Sequence, residues 1–197
     1  MPEFITNELL ANLPWLYTER LILRPMNEAD AAIVVRWRNS QHVAKFSKSK
    51  SKLTIEGHLA WFRKTRKTRI DYVMLKKNDL IPIGSFSFKE YIDLNGKNPC
   101  AELGKYIGEV SALGKGYSKE GQKLWIEFGF NYCHFNTIVT LTRSDNFPSF
   151  RINEGMGFMV ERSFIEDDVQ WIFMVLKRIS WFSTKALSER GAHHGFK

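Results

Sequence analysis

The sequence predicts one α/β (α+β) domain in which strands and helices share a single core. Its 197 residues, 44% of them hydrophobic, are enough for one sizeable core and few for two. Strand-like and helix-like segments follow in the order β-α-α-β-β-β-α-β-α-β-β, with no internal repeat or low-complexity linker. We therefore expect residues 1–197 to form one domain, with 1–17 as an N-terminal extension and 180–197 as a loosely attached tail.

The first third of the pattern contains one short strand and two helices. The strand is Leu21 to Arg24, and Asn27 is placed to cap a helix that runs to about Trp37. Thr54 is placed to open a second helix. We expect the indole rings of Trp37 and Trp61 to lie in the core.

Strands dominate the middle of the chain. Apolar and β-branched runs predict strands at 72–76, 83–91 and 101–108, and Asn95-Gly96 sits where a hairpin turn is expected. The remaining segments are a helix at 117–131, a strand at 137–143, a short helix at 147–155, and strands at 158–162 and 169–176.

A segment rich in glycine joins the fourth predicted strand to the long helix. It reads Leu-Gly-Lys-Gly-Tyr-Ser-Lys-Glu-Gly from Leu113 to Gly121. Small residues let successive backbone N–H groups point at one anion, and a helix start adds unpaired donors and the positive end of its dipole. The segment therefore predicts a site for a phosphorylated cofactor, although Gly-Lys-Gly alone is equally compatible with a plain strand-to-helix turn.

The spacing of the glycines excludes two familiar phosphate-binding motifs. A P-loop has four residues between its first glycine and the Gly-Lys pair, whereas five separate Gly108 from Gly114, and Gly116 stands where Ser or Thr is required. A dinucleotide-binding fingerprint has a third glycine three residues after Gly116, and this chain has Lys119 there.

Positive charge is concentrated in one segment. Residues 36–69 contain eleven Lys or Arg and one acid, a local net charge of +10, so the rest of the chain is net −2 of the total +8. Such a segment is either a solvated face or an electrostatic funnel for an anionic partner. It lacks the interleaved aromatic residues of a nucleic-acid platform, so a phosphorylated small molecule is favoured over RNA.

The termini and cysteines bear on the cellular setting. Met1 to Tyr17 lacks the basic start of a secretory signal, and no apolar run approaches the length of a membrane span. Cys100 and Cys133 have neither a disulfide framework nor metal-ligand spacing, so we expect reduced thiols and no bound metal. We predict a cytoplasmic protein, in which Trp181 and Phe182 pack on their own domain or, in a homodimer, on a partner subunit.

The element order and two motifs carry a family resemblance. The motifs are the glycine segment and the stretch from Asn146 to Phe158, which contains Asn146-x-x-Ser149-x-Arg151. Over residues 18–178 the sequence resembles the GNAT superfamily of acetyl-CoA-dependent N-acyltransferases. The resemblance implies a mixed, mostly antiparallel sheet that is splayed between its fourth and fifth strands, and direct transfer of an acetyl group to an amine.

Two branches of this superfamily are represented in the motifs. Thr18 to Pro25 and Asn146 to Phe158 resemble the ribosomal-protein alanine N-acetyltransferases, whereas Arg36 to Asn39 and His58 to Phe62 resemble the N-acetyltransferases of nucleotide-linked amino sugars. Together with the basic segment, the second resemblance favours a small anionic acceptor, the amine of a nucleotide-linked amino sugar. A protein α-amine and a non-catalytic acyl-CoA-binding module remain alternatives.

The resemblance also assigns residues to acetyl-CoA. The turn before the long helix is expected to hold the pyrophosphate, and the fourth strand is expected to pair with the pantetheine arm and to supply an N–H to the oxyanion. Asn146 is expected to meet the arm from the other side. The predicted cofactor contacts are Tyr106, Ile107, Gly108, Leu113, Gly114, Lys115, Gly116, Tyr117, Ser118, Asn146, Ser149 and Arg151.

Amine acylation requires a base, because a protonated amine has no lone pair with which to attack the thioester. Glu102 is the predicted base, since strand alternation places it on one face with Gly104 and Tyr106; a structural carboxylate paired with a cation is the alternative. The tyrosine that commonly assists thiolate departure in this superfamily is replaced by Asn153. The resemblance to the ribosomal-protein branch transfers that acid role to Ser149.

Four further residues are predicted on the acceptor side. Arg36 and Arg38 are expected to contact an anionic group of the substrate. His58 and Glu90 are substrate contacts and alternate candidates for the base, with a packed or surface histidine as the alternative for His58.

Overall fold

The structure is a computed structural model that describes residues 5–49, 51–92 and 99–183, folded around one eight-stranded sheet. The strands are β1 (Leu16–Tyr17), β2 (Leu21–Pro25), β3 (Arg69–Lys76), β4 (Pro82–Ile92), β5 (Pro99–Ile107), β6 (Thr137–Arg143), β7 (Met159–Glu166) and β8 (Val169–Lys177). The helices are α1 (Asn7–Ala11), α2 (Ala31–Asn39), α3 (Gln41–Ala44), α4 (Ile55–Thr65), α5 (Tyr117–Asn131) and α6 (Phe147–Gly155). The predicted hairpin turn at Asn95-Gly96 and residues 184–197 lie outside the described residues.

The sheet is mixed and mostly antiparallel, as predicted. Its strand order is β1-β2-β3-β4-β5-β6-β8-β7, and β5 and β6 form its parallel pair. That pair is held at Ala101–Ile138 and Glu102–Val139 and then parts, which confirms the predicted splay between the fourth and fifth predicted strands. We call the gap beyond these two pairs, between Leu103–Ile107 and Thr140–Arg143, the β5–β6 opening.

One face of the sheet is covered by α5. Trp125 is fully buried there and stacks on Phe88 of β4, with ring centroids 4.6 Å apart and planes 13° from parallel. Tyr72 of β3 packs against the same indole at 4.8 Å. These large aromatic contacts fix α5 on the sheet, and so fix the turn from which it starts.

The opposite face is covered by α2 and, at its rim, by α4. Trp37 is 1% exposed and packs edge-on against Tyr106 of β5 at 6.2 Å, as expected of a core residue. The corresponding prediction is wrong for Trp61, whose side chain is 40% exposed. The residue that α4 buries is His58, and Trp61 stacks on the outside of that imidazole at 5.5 Å.

Both ends of the described chain join the core more closely than the sequence predicts. Ile5 is buried in the main core, and β1 adds an antiparallel strand to β2, so residues 5–17 are part of the fold. Trp181 is buried in the same core and the ring of Phe182 lies 6.3 Å from that of Phe130. Both tail aromatics therefore pack on their own domain.

Three other features bear on the predicted setting. Cys100 and Cys133 are buried, and burial raises the pKa of the Cys133 thiol, which makes it a poor nucleophile. In the part of the chain that the structure describes, no helix has the length and hydropathy to cross a membrane. Within the same residues, no three His, Cys, Asp or Glu side chains converge as metal ligands would.

Candidate active site

The glycine turn, residues 113–116, is an exposed loop of unusual backbone geometry. Gly114 has φ +71° and Gly116 has φ +79°, a left-handed conformation that glycine adopts without steric cost. Gly116 precedes the first residue of α5, and no side chain among the described residues caps that helix. The N–H groups of its first turn are therefore available to an external acceptor, with the positive end of the helix dipole behind them.

An arginine that the sequence analysis did not identify supports this turn. Arg20 donates from Nη1 to the carbonyl of Lys115 at 3.1 Å, and its guanidinium lies 4.8 Å from the ring centroid of Tyr117. Its Nε donates to Glu120 at 2.6 Å, and the hydroxyl of Thr18 donates to the same carboxylate at 2.5 Å. The stretch from Thr18 was noted only as a family resemblance; its structural role is to hold the glycine turn in place.

The backbone of β5 forms one wall of the β5–β6 opening. Past Glu102 this strand pairs with β4 alone within the described residues, so no strand pairs with the edge that faces β6. On that edge the carbonyl of Leu103 accepts from the hydroxyl of Thr140 at 3.2 Å. Two of the three predicted pantetheine contacts already have a partner for one backbone group: the N–H of Gly108 donates to the carbonyl of Ile83 at 2.8 Å, and the carbonyl of Ile107 lies 3.2 Å from Nε2 of the His42 side chain. The backbone N–H groups of Ile107 and Gly108 are the two candidate donors to the oxyanion. Because the Gly108 N–H is already used, the N–H of Ile107 is the remaining candidate.

The start of α6 forms the other wall. Asn146 caps this helix through its side-chain oxygen, which accepts from the backbone N–H of Ser149 at 3.3 Å. Ser149 is half-buried and Arg151 is exposed on the same helix. The structure thus brings the predicted residues of this motif to one side of the opening, opposite β5.

A buried polar bridge connects the two walls. Nζ of Lys105 on β5 donates to Oδ1 of Asn153 at 2.5 Å and to the side-chain oxygen of Gln122. The Gln122 amide donates to Asn153 at 3.0 Å, and Asn153 donates to the hydroxyl of Thr142 on β6 at 3.1 Å. Gln122 and Asn153 are each 0% exposed. Burial lowers the pKa of Lys105 to about 7.

Lys105 is the second site residue that sequence reasoning missed. Its one local signal was its strand position, because alternation places Lys105 with Leu103 on the face of β5 that packs against α5. An ionisable side chain at a core-facing strand position needs an explanation. Asn153 was noted as a replacement for tyrosine, but its bond to Lys105 joins residues 48 positions apart and cannot be read from either motif.

Glu102, the predicted base, lies on the α2 and α4 face as expected. Its cross-strand partner is Lys89, and the two side chains form an ion pair at 2.8 Å. The side chain of Glu102 keeps 23% exposure, and the ion pair uses its Oε2. The pairing corresponds to the structural alternative for Glu102, and the exposure leaves the role of base open.

Tyr106 and Arg38 lie on the same face, nearer to α2. Burial raises the pKa of Tyr106 to about 12, so its hydroxyl keeps its proton, and that hydroxyl is hydrogen-bonded to Ser85. Arg38 lies close enough to act on Tyr106 electrostatically, and its Nε is buried with no hydrogen-bond partner among the described residues. An unpaired buried donor is costly, so this nitrogen is a natural contact for an acceptor atom of a ligand.

His58 was predicted as a substrate contact, but the structure buries it beneath α4. It is 6% exposed and stacks with Trp61 and Phe62 of its own helix. Burial lowers its pKa; the nearby Asp71 opposes this shift and Arg38 adds to it. The placement corresponds to the packed alternative and leaves little surface for a substrate.

The comparisons with known proteins agree with this geometry. A family model described as an acetyltransferase (GNAT) domain matches residues 20–159. The chain belongs to the GNAT acetyltransferase family. It is similar to the uncharacterized N-acetyltransferase p20 of Bacillus licheniformis, with 26% identity over 155 residues that cover 74% of this chain and 83% of p20. The family membership makes this protein an N-acetyltransferase.

Solved structures of other GNAT proteins share the fold. A GNAT acetyltransferase from Bacillus anthracis superposes with a TM-score of 0.70 at 19% identity, covering 83% of this chain and 98% of that one. The spermidine N-acetyltransferase of Vibrio cholerae, solved with CoA and spermine, gives a TM-score of 0.74 at 14% identity, covering 84% and 99%. At these identities the likeness concerns the fold.

The basic segment of this GNAT enzyme is partly neutralised by acids from outside it. Four of its eleven cations form ion pairs with residues outside 36–69: Arg36 with Glu109, Lys48 with Glu166, Arg63 with Glu28, and Arg69 with Asp71. With these four acids counted, the net charge of the segment falls from +10 to +6. Arg36, a predicted anion contact, is one of the neutralised residues.

Glu90 is the predicted substrate contact that the structure separates from the others. It lies opposite Ala101 on the face of the sheet that packs against α5, whereas Lys89 and Glu102 face α2 and α4. Its carboxylate accepts from the backbone N–H of Ile5 at 3.1 Å. In this structure Glu90 fixes the N-terminal segment.

Proposed function

We propose that this GNAT enzyme transfers the acetyl group of acetyl-CoA to the primary amine of a nucleotide-linked amino sugar. The observation that carries the proposal is an exposed, uncapped glycine turn beside a gap in the sheet. The turn offers convergent backbone donors for a diphosphate, and the gap offers an unpaired strand edge for an extended amide chain.

The residues present fit acetyl-CoA. The N–H groups after Gly116 would hold the pyrophosphate, with Lys115 and Ser118 beside them, and the free edge of β5 around Tyr106 would pair with the pantetheine arm. Asn146 and Ser149 would meet that arm from α6. When bound, acetyl-CoA supplies an activated acetyl group as a thioester.

Glu102 is proposed to take the proton from the acceptor amine, directly or through a water. It lies on the face that α2 and α4 cover, and its side chain keeps 23% exposure while paired with Lys89. The N–H of Ile107 is the proposed donor to the thioester oxygen, because the N–H of Gly108 is used within the sheet.

The anionic part of the acceptor is assigned to Arg38. Its Nε is a buried donor to which no described residue offers an acceptor, and it lies near Tyr106 on the proposed acceptor side. The basic segment, which keeps a net charge of +6 after the four acids are counted, would draw a diphosphate toward this face.

An acceptor screen tests the proposal. Purified protein is incubated with acetyl-CoA and with amino-sugar nucleotides, peptides with free N-termini or polyamines, and released thiol is measured. We expect the highest kcat/KM with an amino-sugar nucleotide. A preference for peptides would move the assignment to a protein α-amine, and CoA binding without turnover of any amine would indicate a binding module.

A further inference from the structure

Lys105 places an amine inside the protein without an acidic partner among the described residues. Its Nζ donates to Asn153 and Gln122, whose side chains are neutral and fully buried. The residue as a whole keeps partial exposure at the β5–β6 opening. Burial is the cause that lowers its pKa to about 7, and no charge is needed to explain the shift.

Every element packed against this amine presents an uncharged side chain. The cross-strand neighbour on β4 is Phe86, α5 supplies Gln122, and α6 supplies Asn153, beyond which lies Thr142 of β6. None of these groups can take or give a proton near neutral pH. Lys105 is therefore the titratable member of the polar bridge.

The hydrogen bonds of Lys105 leave one position on the nitrogen open. An ammonium group has three N–H donors, and the two acceptors that the structure supplies are Gln122 and Asn153. The third position holds a proton when the lysine is charged and a lone pair when it is neutral. A group with these properties can deliver a proton to a ligand and then remain in place.

The polar bridge lies where the chemistry of the proposed function would occur. It runs from Lys105 on β5 through Asn153 on α6 to Thr142 on β6, across the gap that begins after Glu102 and Val139. A pantetheine arm that enters between the strands would bring its thioester sulfur to this crossing. Asn153 is an amide and cannot serve as an acid there.

We propose that Lys105 donates the proton that the CoA sulfur receives when the thioester is cleaved, an inference that rests on the proposed function. The acceptor nitrogen bonds to the acetyl carbon, the carbon–sulfur bond breaks with its electron pair on sulfur, and the Lys105 ammonium protonates the sulfur and becomes a neutral amine. The acceptor's own proton leaves to Glu102 or water. Lys105 regains a proton from solvent after the products depart.

The energetics favour this direction of transfer. An ordinary lysine, with a pKa of about 10.4, would hold its proton more tightly than a thiolate whose conjugate thiol has a pKa of about 8.5. With its pKa lowered to about 7, the buried Lys105 is the stronger acid of the two. Burial also disfavours the ammonium form, and the transfer removes that charge from the interior.

The first experiment observes Lys105 in the protein without turnover. Lysine side chains are isotopically labelled for NMR, the Lys105 signal is assigned by its absence in Lys105→Met, and its titration is followed alone, with CoA and with desulfo-CoA. We expect titration near pH 7 in the free protein and a response to CoA that desulfo-CoA does not reproduce. The same response to both ligands, or to neither, would overturn the inference.

The second experiment compares pH profiles of kcat/KM for acetyl-CoA with the best acceptor of the screen. In the native enzyme, kcat/KM should fall as the pH rises above a pKa near 7. Lys105→Met should lower kcat by about 100-fold and abolish this fall at high pH. Lys105→Arg should not rescue the rate, because arginine keeps its proton, whereas it would rescue a purely structural cation. If the fall in kcat/KM at high pH persists in both Lys105 variants but disappears in Ser149→Ala, the proposal is refuted in favour of Ser149.

Calorimetric titration with CoA separates the two levels of inference. Native protein and Lys105→Met should both bind CoA with dissociation constants that differ by less than about tenfold. If native protein fails to bind CoA, the proposed function itself fails. If CoA binds and the NMR signal of Lys105 responds equally to CoA and desulfo-CoA, the proposed role of Lys105 is refuted and the proposed function is not.

Discussion

Individual residues of the site are distinguished by what they already contact. Arg36 and Arg38 lie two positions apart on α2, yet Arg36 is paired with Glu109, while the buried Nε of Arg38 has no partner in the part of the chain that the structure describes. Hydrogen bonds from Trp37 and then Arg36 lower the pKa of Glu109, so that carboxylate stays ionised and keeps Arg36 engaged. The two arginines are therefore unequal as ligands for an anionic acceptor.

This difference makes a matched pair of variants. Arg38→Gln should raise the KM of the anionic acceptor by about tenfold or more, because a charged hydrogen bond contributes about 1.5–3 kcal/mol. Arg36→Gln should change that KM by less than about threefold, and neither should alter the KM of acetyl-CoA to the same extent. Steady-state kinetics with both substrates check this, and equal effects of the two variants would contradict it.

The glycine turn makes a second prediction about single residues. Gly114→Ala places a side chain at φ +71°, which costs about 1–2 kcal/mol, although its Cβ would meet no atom within 4 Å. The turn must relax to escape this strain and would move its N–H groups, so the Kd for CoA should rise by about tenfold. Calorimetric titration of the native and variant proteins with CoA measures this change in Kd.

Gly155→Ala is the control for that change. Gly155 ends α6, its Cβ position is equally open, and its φ is not positive. Alanine there should leave CoA affinity unchanged and cost no stability. A Gly114→Ala protein that binds CoA as tightly as Gly155→Ala would show that the turn does not hold the cofactor.

At the scale of elements, α4 is a helix whose buried face centres on a histidine. Thr54 caps it through a bond from the N–H of Gly57 at 3.0 Å, and His58 is its buried residue. Because burial lowers the pKa of His58 in the folded protein, the unfolded chain binds a proton first as the pH falls. The free energy of unfolding should therefore decrease as the pH drops below about 6.5 and until the folded-state pKa is passed.

Replacing the histidine tests that coupling. His58→Gln removes the titrating group, so the loss of stability between about pH 6.5 and 5 should be smaller than in the native protein. Denaturant unfolding of both proteins at pH 7.5 and pH 5 measures the difference. An identical loss in native and variant protein would assign the acid sensitivity to other groups.

The same helix shows what the sequence could and could not predict. Its existence followed from a local signal, the Thr54 cap, and so did the start of α5 at the glycine turn and the cap of α6 at Asn146. Its orientation depended on packing at the rim of the sheet, so Trp61 was wrongly placed in the core. The two-residue strand β1 is too short for any periodic signal.

The candidate site divides in the same way. Gly114 and Gly116 could be read from sequence because backbone conformation is a property of a few neighbouring residues. Arg20 and Lys105 could not, since their partners lie 95 and 48 positions away and only the fold brings them together. Local motifs thus predicted where a cofactor would bind, and tertiary contacts bring together the groups that are proposed to support and serve it.

The molecule as a whole carries a strongly asymmetric charge that its own fold moderates. The basic segment retains a net charge of +6 after four acids from elsewhere in the chain are counted, spread over α2, α4 and the residues between them. A field of this kind acts over roughly a Debye length, which shrinks from about 30 Å at 0.01 M salt to about 8 Å at 0.15 M. It would therefore raise the encounter rate of an anionic acceptor most at low salt.

Salt dependence of the acceptor KM tests this. For an amino-sugar nucleotide, raising the ionic strength from about 0.01 M to about 0.15 M should increase the KM several-fold. The corresponding amino sugar without its nucleotide lacks the anionic diphosphate and serves as the control, and its KM should not increase with salt. Equal salt responses of the two acceptors would mean that the basic face is merely solvated.

Arg20 has an implication for the order in which the protein is made. The carbonyl that Arg20 holds belongs to Lys115, and its carboxylate partner is Glu120, 100 positions later. Closing so long a stretch of chain is slow compared with forming a local helix. During synthesis, the ribosome must therefore pass Glu120 before Arg20 can hold the glycine turn, and a translation product that stops before Glu120 would lack this support.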